Sequence, residues 1–188
     1  MSRPRKTATA IALVFGLAGF PLVAQSANSP TLSKRSVKPV AYGAPVLFRI
    51  PRLGIKAAVE KTSIDSKGQL AAPRDPKKVG WYRNGTIPGK RGNALIAGHV
   101  DWYDGPAVFW KLRSIRRGDV VEVVNDYGQV LRFRVVATGA YKNGSLPMDR
   151  MVRKTRAFHL NLYTCGGAFN RTERNYSHRV VVFTELIR

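Results

Sequence analysis

One cysteine, three histidines and only 11 acidic residues against 32 lysines and arginines set this 188-residue chain apart. A lone thiol cannot close an internal disulfide, so no cross-link holds the fold. With so few ligand-type residues, His99, Asp101 and Asp104 form the one weak metal-binding group, and no metal and no cofactor are expected. Zinc-finger spacing and a Gly-aromatic RNA-binding signature are missing. The basic residues are scattered, so the formal charge of +21 does not point to nucleic acid. The longest uncharged apolar run, residues 8–24, is about 17 residues against the roughly 20 of a spanning helix, and Gly16, Gly19 and Pro21 weaken it. Helical periodicity is scarce, and there is no internal repeat.

What is present begins with Met1-Ser-Arg3-Pro-Arg5-Lys6 ahead of that run, a basic n-region and an apolar segment of signal type. Ala24-Gln25-Ser26 offers the small residues a signal peptidase accepts, whereas retention would leave the N-terminus inside and the rest outside. An uncleaved anchor over residues 1–25 is the favoured reading. It places the protein on the extracytoplasmic face of the cell membrane, or in the medium if the segment is cleaved. Residues 26–44, rich in Ser, Pro, Ala and Lys, read as an extended tether. Residues 45–188 are then one domain of usual size. Beyond residue 38 there remain 26 basic and 11 acidic residues, a net +15, so the domain itself is basic and suited to anionic lipid or wall polymer.

Short apolar or alternating runs at 46–50, 55–59, 94–97, 120–124, 130–136, 157–164 and 180–186 are separated by Gly, Pro, Asn and Asp. That punctuation predicts a mainly β fold, a closed β-barrel of about seven to eight strands with one or two short helices. Residues 120–136 read as a hairpin turning at 125–128. Residues 105–112, started by Pro106, read as a short helix, and residues 145–153 as a turn or a single helical turn.

Cys165 closes the apolar run from Phe158 and is followed by Gly166-Gly167, the mark of a thiol exposed at a strand end. A leftover thiol in an oxidising compartment reads as a reactive group, although a free cysteine can equally be a small buried apolar residue. Free cysteine is mostly protonated at neutral pH, so a thiol nucleophile needs a base or cation beside it. His99, delivered by Ala94-Leu-Ile-Ala-Gly-His99, is the candidate. His159 lies six residues before Cys165 on the same strand, roughly 20 Å away, out of reach. His178 and Arg179 point to opposite faces, and the guanidinium fork of Arg179 suits an oxyanion or a substrate carbonyl. Arg174, in the loop before the last strand, is a second candidate. Asp101 would orient His99 or cap a turn. Trp81, Tyr82, Trp102, Phe109 and Trp110 read as core and cleft walls. Cysteine, histidine and arginine at three strand ends point to acyl transfer.

These residues resemble the sortases, the cysteine transpeptidases of Gram-positive cell surfaces, and most closely the actinobacterial class F. The resemblance spans residues 46–188. It rests on Ile50-Pro51-x-Leu53-Gly54-Ile55, Val79-Gly80-Trp81-Tyr82, Ala97-Gly98-His99-Val100-Asp101, Gly105-Pro-Ala-Val-Phe109 and Thr164-Cys165-Gly166-Gly167-Ala168-Phe169. Two positions depart from the pattern: Asn161 stands where the family's Thr-Leu-x-Thr-Cys strand has its first Thr, and Ser177-His178-Arg179 puts the arginine directly before the last strand, as in other sortase classes.

The resemblance implies a sortase-like barrel in which Cys165 attacks the Thr-Gly bond of a Leu-Pro-x-Thr-Gly-like sorting signal. His99 would protonate the leaving amine and Arg179 would steady substrate and oxyanion. Tyr163, Thr164, Gly166 and Asp101 would contact the substrate. An amine, in wall-anchoring members that of the peptidoglycan precursor lipid II, would release the thioester. The implied partners are surface proteins bearing sorting signals, an amine acceptor and the membrane, with no nucleic acid and a monomeric enzyme. Two other readings stay open: a thiol hydrolase or peptidase on the same scaffold, and a non-enzymatic basic wall-binding β-domain with an inert Cys165.

Overall fold

The computed structural model describes residues 42–64 and 70–188; the expected signal or anchor and nearly all of the tether fall outside the described residues. In chain order the strands are β1 (Pro45–Ile50), β2 (Ile55–Thr62), β3 (Val79–Tyr82), β4 (Gly92–Ala97), β5 (Asp101–Trp102), β6 (Gly105–Pro106), β7 (Val120–Asn125), β8 (Val130–Lys142), β9 (Phe158–Asn170) and β10 (Asn175–Leu186). Eight of them close a barrel in the order β1-β2-β3-β4-β9-β10-β8-β7, while β5 and β6 form a separate two-stranded pair. The β2–β3 and β4–β9 pairs are parallel and the others antiparallel. The mainly β barrel read from the sequence is the fold observed.

Local sequence explains these elements. Along β7 burial alternates, with Val121 and Val123 turned inward, and the predicted hairpin to β8 turns where the Asn125 Oδ1 accepts the N–H groups of Tyr127 and Gln129. Gly128, at φ 74°, takes the left-handed position that a side chain would disfavour. In β4 every residue is buried. Its Ala94 and Ile96 join the barrel core with Phe48, Phe109 and Leu162. Leu95 faces outward into a second cluster with Met151, Val181 and Phe183. Burial on both faces is why this strand reads as an unbroken apolar run instead of alternating. Of the turn or single helical turn expected within 145–153, the structure forms the helical turn, α1 (Met148–Val152), which supplies Met151 to that outer cluster.

Several boundaries differ from the sequence reading. β3 was not among the apolar runs, since Gly80 breaks its pattern; a Cβ there would lie 2.6 Å from Thr62 Cγ2 on the neighbouring strand. The short helix expected at 105–112 is instead a 3-10 turn at Trp110–Ser114, because Gly105 and Pro106 pair with Trp102 and Asp101. β9 runs on to Asn170 and β10 starts at Asn175, so Cys165 lies inside a 13-residue strand and Arg179 inside a 12-residue one. Neither is at a strand end. Gly166 still offers its backbone to the ladder, opposite His178, and Phe169 and Asn170 pair with Tyr176 and Asn175.

Candidate active site

Strand register brings the thiol and a guanidinium together. Cys165 on β9 stands directly opposite Arg179 on β10, and side chains of an antiparallel pair share a face. Tyr163, two residues before Cys165, shares that face too, and its Oη accepts from Arg179 Nε at 3.1 Å. Arg179 Nη1 donates to the carbonyls of Tyr176 and His178, each at 3.0 Å, and Nη2 donates to Asn175 Oδ1 at 2.8 Å. A guanidinium has five N–H donors, so these four bonds fix its plane and leave one Nη2 proton for a ligand.

The imidazole arrives by the parallel β4–β9 pairing. Beyond Ala97 the chain stays tied to β9, since Gly98 N–H donates to Tyr163 O at 3.2 Å and Thr164 Oγ1 donates to Gly98 O at 2.7 Å. His99 follows at once. Its carbonyl accepts from Phe109 N–H at 2.9 Å, and Ala107 N–H donates to Val100 O at 3.1 Å, so the two motifs around His99 and Phe109 fold back on each other as one hairpin. Gly98 is obligatory there: a Cβ would sit 2.6 Å from the buried Phe109 ring. His99 Nε2 lies 2.9 Å from Pro73 O. A carbonyl only accepts, so Nε2 carries a proton and the neutral ring keeps its lone pair on Nδ1. The Trp102 ring packs edge-on against the imidazole, with centroids 4.7 Å apart.

His99 and Cys165 line one cleft of 650 Å³, shared with Trp102, Phe169, Arg174 and Tyr176, without a direct hydrogen bond between them. Burial pushes the half-buried Cys165 thiol above the ordinary thiol range. The positive charge of Arg179 pulls it down, and the Asp101 carboxylate pushes it up. The thiol is therefore protonated at neutral pH and needs a base when it attacks.

The other expected residues fall in distinct places. Asp101 does not reach His99; its Oδ2 accepts from Tyr176 Oη, a bond that links the β5–β6 hairpin to the start of β10 across the cleft. The Tyr176 hydroxyl is pushed up to about 12 by burial, by donating to Asp101, and by the charges of Asp101 and Cys165. Thr164 is 2% exposed, on the barrel side of β9, so its hydroxyl positions Gly98 instead of facing the cleft. Gly166 lies beside the thiol along a smaller hollow of 380 Å³. A Cβ at Gly166 would meet Val180 Cγ2 at 2.8 Å. His178 pairs with Gly166 and its Nδ1 lies 2.8 Å from Ser177 Oγ. His159 is opposite Glu185, far along β9. Arg174, at φ 50°, sits at the tip of the β9–β10 hairpin and lines the cleft from outside. Among the described residues no three His, Cys, Asp or Glu cluster in a way that could hold a metal ion.

Sequence reasoning missed Asn175, Tyr176 and Asn93, and marked Asn161 only as a departure from the family pattern, not as half of a buried pair with Asn93. Asn161 Nδ2 donates to Met151 O at 2.9 Å and to Asn93 Oδ1 at 3.1 Å, and Asn93 Nδ2 donates to Arg153 O at 2.7 Å. This polar patch fastens α1 to β4 and β9. The one available signal was Asn161 itself, an amide in the middle of an apolar strand.

On the outer face of β4 and β9 a second groove, 580 Å³, is lined by Leu70, Tyr82, Leu95, Leu146 and Met151 and ends at Tyr163 and Arg179. A closed barrel with a thiol between an arginine-ended apolar groove and a histidine-bearing cleft has the layout of a cysteine-dependent acyl-transfer enzyme. The sortase domain model matches residues 48–187, and the chain belongs to the sortase family of cysteine transpeptidases, which act on surface proteins. No curated protein sequence matches it. Among solved structures it resembles sortase C-1 from Actinomyces oris, at TM-score 0.60 and 22% identity over 77% of this chain and 73% of that one. It also resembles sortase A from Corynebacterium diphtheriae, at TM-score 0.59 and 15% identity over 80% and 63%. A third is the sortase D5 transpeptidase of Clostridium perfringens, at TM-score 0.57 and 18% identity over 77% and 79%. At these identities the likeness speaks for the fold.

Proposed function

We propose that this chain is an exported transpeptidase of the class F type that cleaves a Leu-Pro-x-Thr-Gly-like sorting signal between Thr and Gly and passes the acyl group to an amine of a cell-wall precursor. The observation that carries this reading is the register pairing of Cys165 with Arg179, whose side chain lines the apolar groove. A Leu-Pro segment is apolar and extended, and the groove offers Leu95, Leu146 and Met151 to it, with Tyr163 at the end nearest the thiol. The scissile carbonyl then lies over Cys165.

In the first half-reaction Cys165 Sγ bonds to the threonine carbonyl carbon as its proton passes to His99 Nδ1. The free Nη2 proton of Arg179 donates to the developing oxyanion. The C–N bond then breaks, and His99 returns the proton to the departing glycine amine. Water in place of the amine would give hydrolysis, so amine dependence separates a transferase from a peptidase. Residues 1–25 anchor the chain and residues 26–44 tether the domain at the outer face of the membrane, and the enzyme works as a monomer; membrane fractionation and gel filtration of the full chain test these two points.

The test of the chemistry is mass spectrometry of the full chain incubated with a Leu-Pro-x-Thr-Gly peptide, with and without an amine. Cleavage at Thr-Gly with amine-dependent ligation is expected, abolished in Cys165→Ala and lowered by at least about a hundredfold in His99→Ala. Cleavage retained by Cys165→Ala would sink the reading. Failure of a thiol-alkylating reagent to label the native protein even above the ordinary thiol range, where an accessible Cys165 would be thiolate, would favour the inert wall-binding domain.

A further inference from the structure

Transpeptidation needs two substrates to meet at one sulfur. The apolar groove takes one side of the thiol, so the second substrate arrives through the 650 Å³ cleft that holds His99. That cleft carries two guanidiniums, Arg171 and Arg174, at its outer rim, and one carboxylate, Asp101. Asp101 is already engaged by Tyr176. Among the described residues neither arginine has an ion-pair or hydrogen-bond partner; the ion pairs of the domain are Arg49 and Arg132 with Glu122, Arg52 with Asp119, and Lys78 with Asp75. Glu173, between the two arginines in sequence, pairs with neither. Arg113, on the adjoining hollow, is stacked on Trp110, 4.7 Å from the ring centroid.

An amine acceptor reaches the cleft mostly as an ammonium ion, which two guanidiniums repel. A negative group on the acceptor reverses that repulsion, and charge-assisted bonds from a guanidinium fork to a carboxylate or phosphate are among the strongest available to a side chain. The same positive field favours loss of the ammonium proton, which the attack requires.

Resting on the transpeptidase reading above, we propose that the acceptor is an amine that also carries an anionic group, carboxylate or phosphate, held by Arg171 and Arg174 while its nitrogen faces the thioester on Cys165. In that step the amine nitrogen bonds to the acyl carbon and the C–S bond breaks. The proton lost by nitrogen goes to His99 Nδ1 and from there to the Cys165 thiolate, which restores the thiol and leaves an amide. Arg171 and Arg174 touch only the acceptor, which distinguishes them from Arg179.

The test is a competition on the full chain fed a Leu-Pro-x-Thr-Gly peptide. One arm offers equal glycylglycine and glycylglycinamide, which differ chiefly in one carboxylate. A second offers phosphoethanolamine and ethanolamine. Ligated products are counted by mass spectrometry. The anionic amine is expected to win by roughly five- to tenfold in at least one arm. The ratio should fall toward one in Arg171→Gln/Arg174→Gln and as salt is raised. Preference in the first arm alone assigns a carboxylate, and in the second alone a phosphate. Equal use of both amines in both arms, or a preference that the double variant keeps, overturns the proposal while the transpeptidase reading stands. Cleavage with no ligation to any amine overturns the transpeptidase reading itself, and this proposal with it.

Discussion

Asp101 lies two residues from His99 in sequence, yet the structure gives its carboxylate to Tyr176, and its electrostatic effect falls on Cys165. The thiolate is the species that reacts with iodoacetamide, so alkylation should be slow at neutral pH and climb through a midpoint above the ordinary thiol range. Asp101→Asn removes a charge that disfavours the thiolate and is expected to move that midpoint down; Arg179→Ala removes one that favours it and should move the midpoint up. A midpoint unmoved by both variants would show that neither charge acts on the thiol. Arg179→Lys keeps the charge but loses the planar fork that reaches Tyr163, Asn175 and two carbonyls. It should lower kcat/KM for peptide cleavage by about a hundredfold with a smaller change in the alkylation profile.

At the scale of elements, β4 and β9 do most of the positioning. Thr164→Val is nearly isosteric and leaves the Gly98 carbonyl without its hydroxyl donor, at a cost of about 1–3 kcal/mol in chemical denaturation. Activity should fall further than stability, because His99 is the next residue along. Gly98→Ala drives a methyl into the Phe109 ring and should destabilise by about 1–3 kcal/mol with loss of cleavage. Asn161→Ala removes the bond that ties the Met151 carbonyl to β9; urea unfolding should show a loss of about 1–3 kcal/mol, and KM for the peptide should rise as the Met151 wall of the groove loosens. The alternating hairpin β7–β8 was legible in the sequence because its register is local. The extension of β9 through Gly166 and Gly167 was not, because glycine reads as a break when only its side chain is counted, and its pairing partner lies on another strand.

The described domain is a closed barrel, basic in composition, whose loops are pinned by a few carboxylates. Arg52 Nε and Nη2 donate to Asp119 at 2.5 and 2.6 Å, joining the turn after β1 to the segment before β7. The hydrogen bonds from Arg52, with help from the Arg116 N–H, hold the Asp119 carboxyl below the usual carboxylate range. A depressed carboxyl contributes stability that is complete above its unfolded pKa and lost as pH falls through the folded one. The Tm difference between the native chain and Asp119→Asn should therefore be largest near neutrality and shrink on acidification below about pH 4.

The residues and types that carry the chemistry were set by the sequence alone: one thiol, one histidine after an apolar strand, and an arginine ahead of Val180-Val-Val-Phe183. So was the β class, because alternation and turn residues are properties of neighbours. Only the tertiary structure decided which groups meet. It put Arg179 opposite Cys165, gave Asp101 to a tyrosine 75 residues away, and sent Thr164 inward to hold the loop of His99. Such partners are fixed by strand register and barrel closure, which sum weak preferences over the whole chain and leave no mark on any one stretch of it.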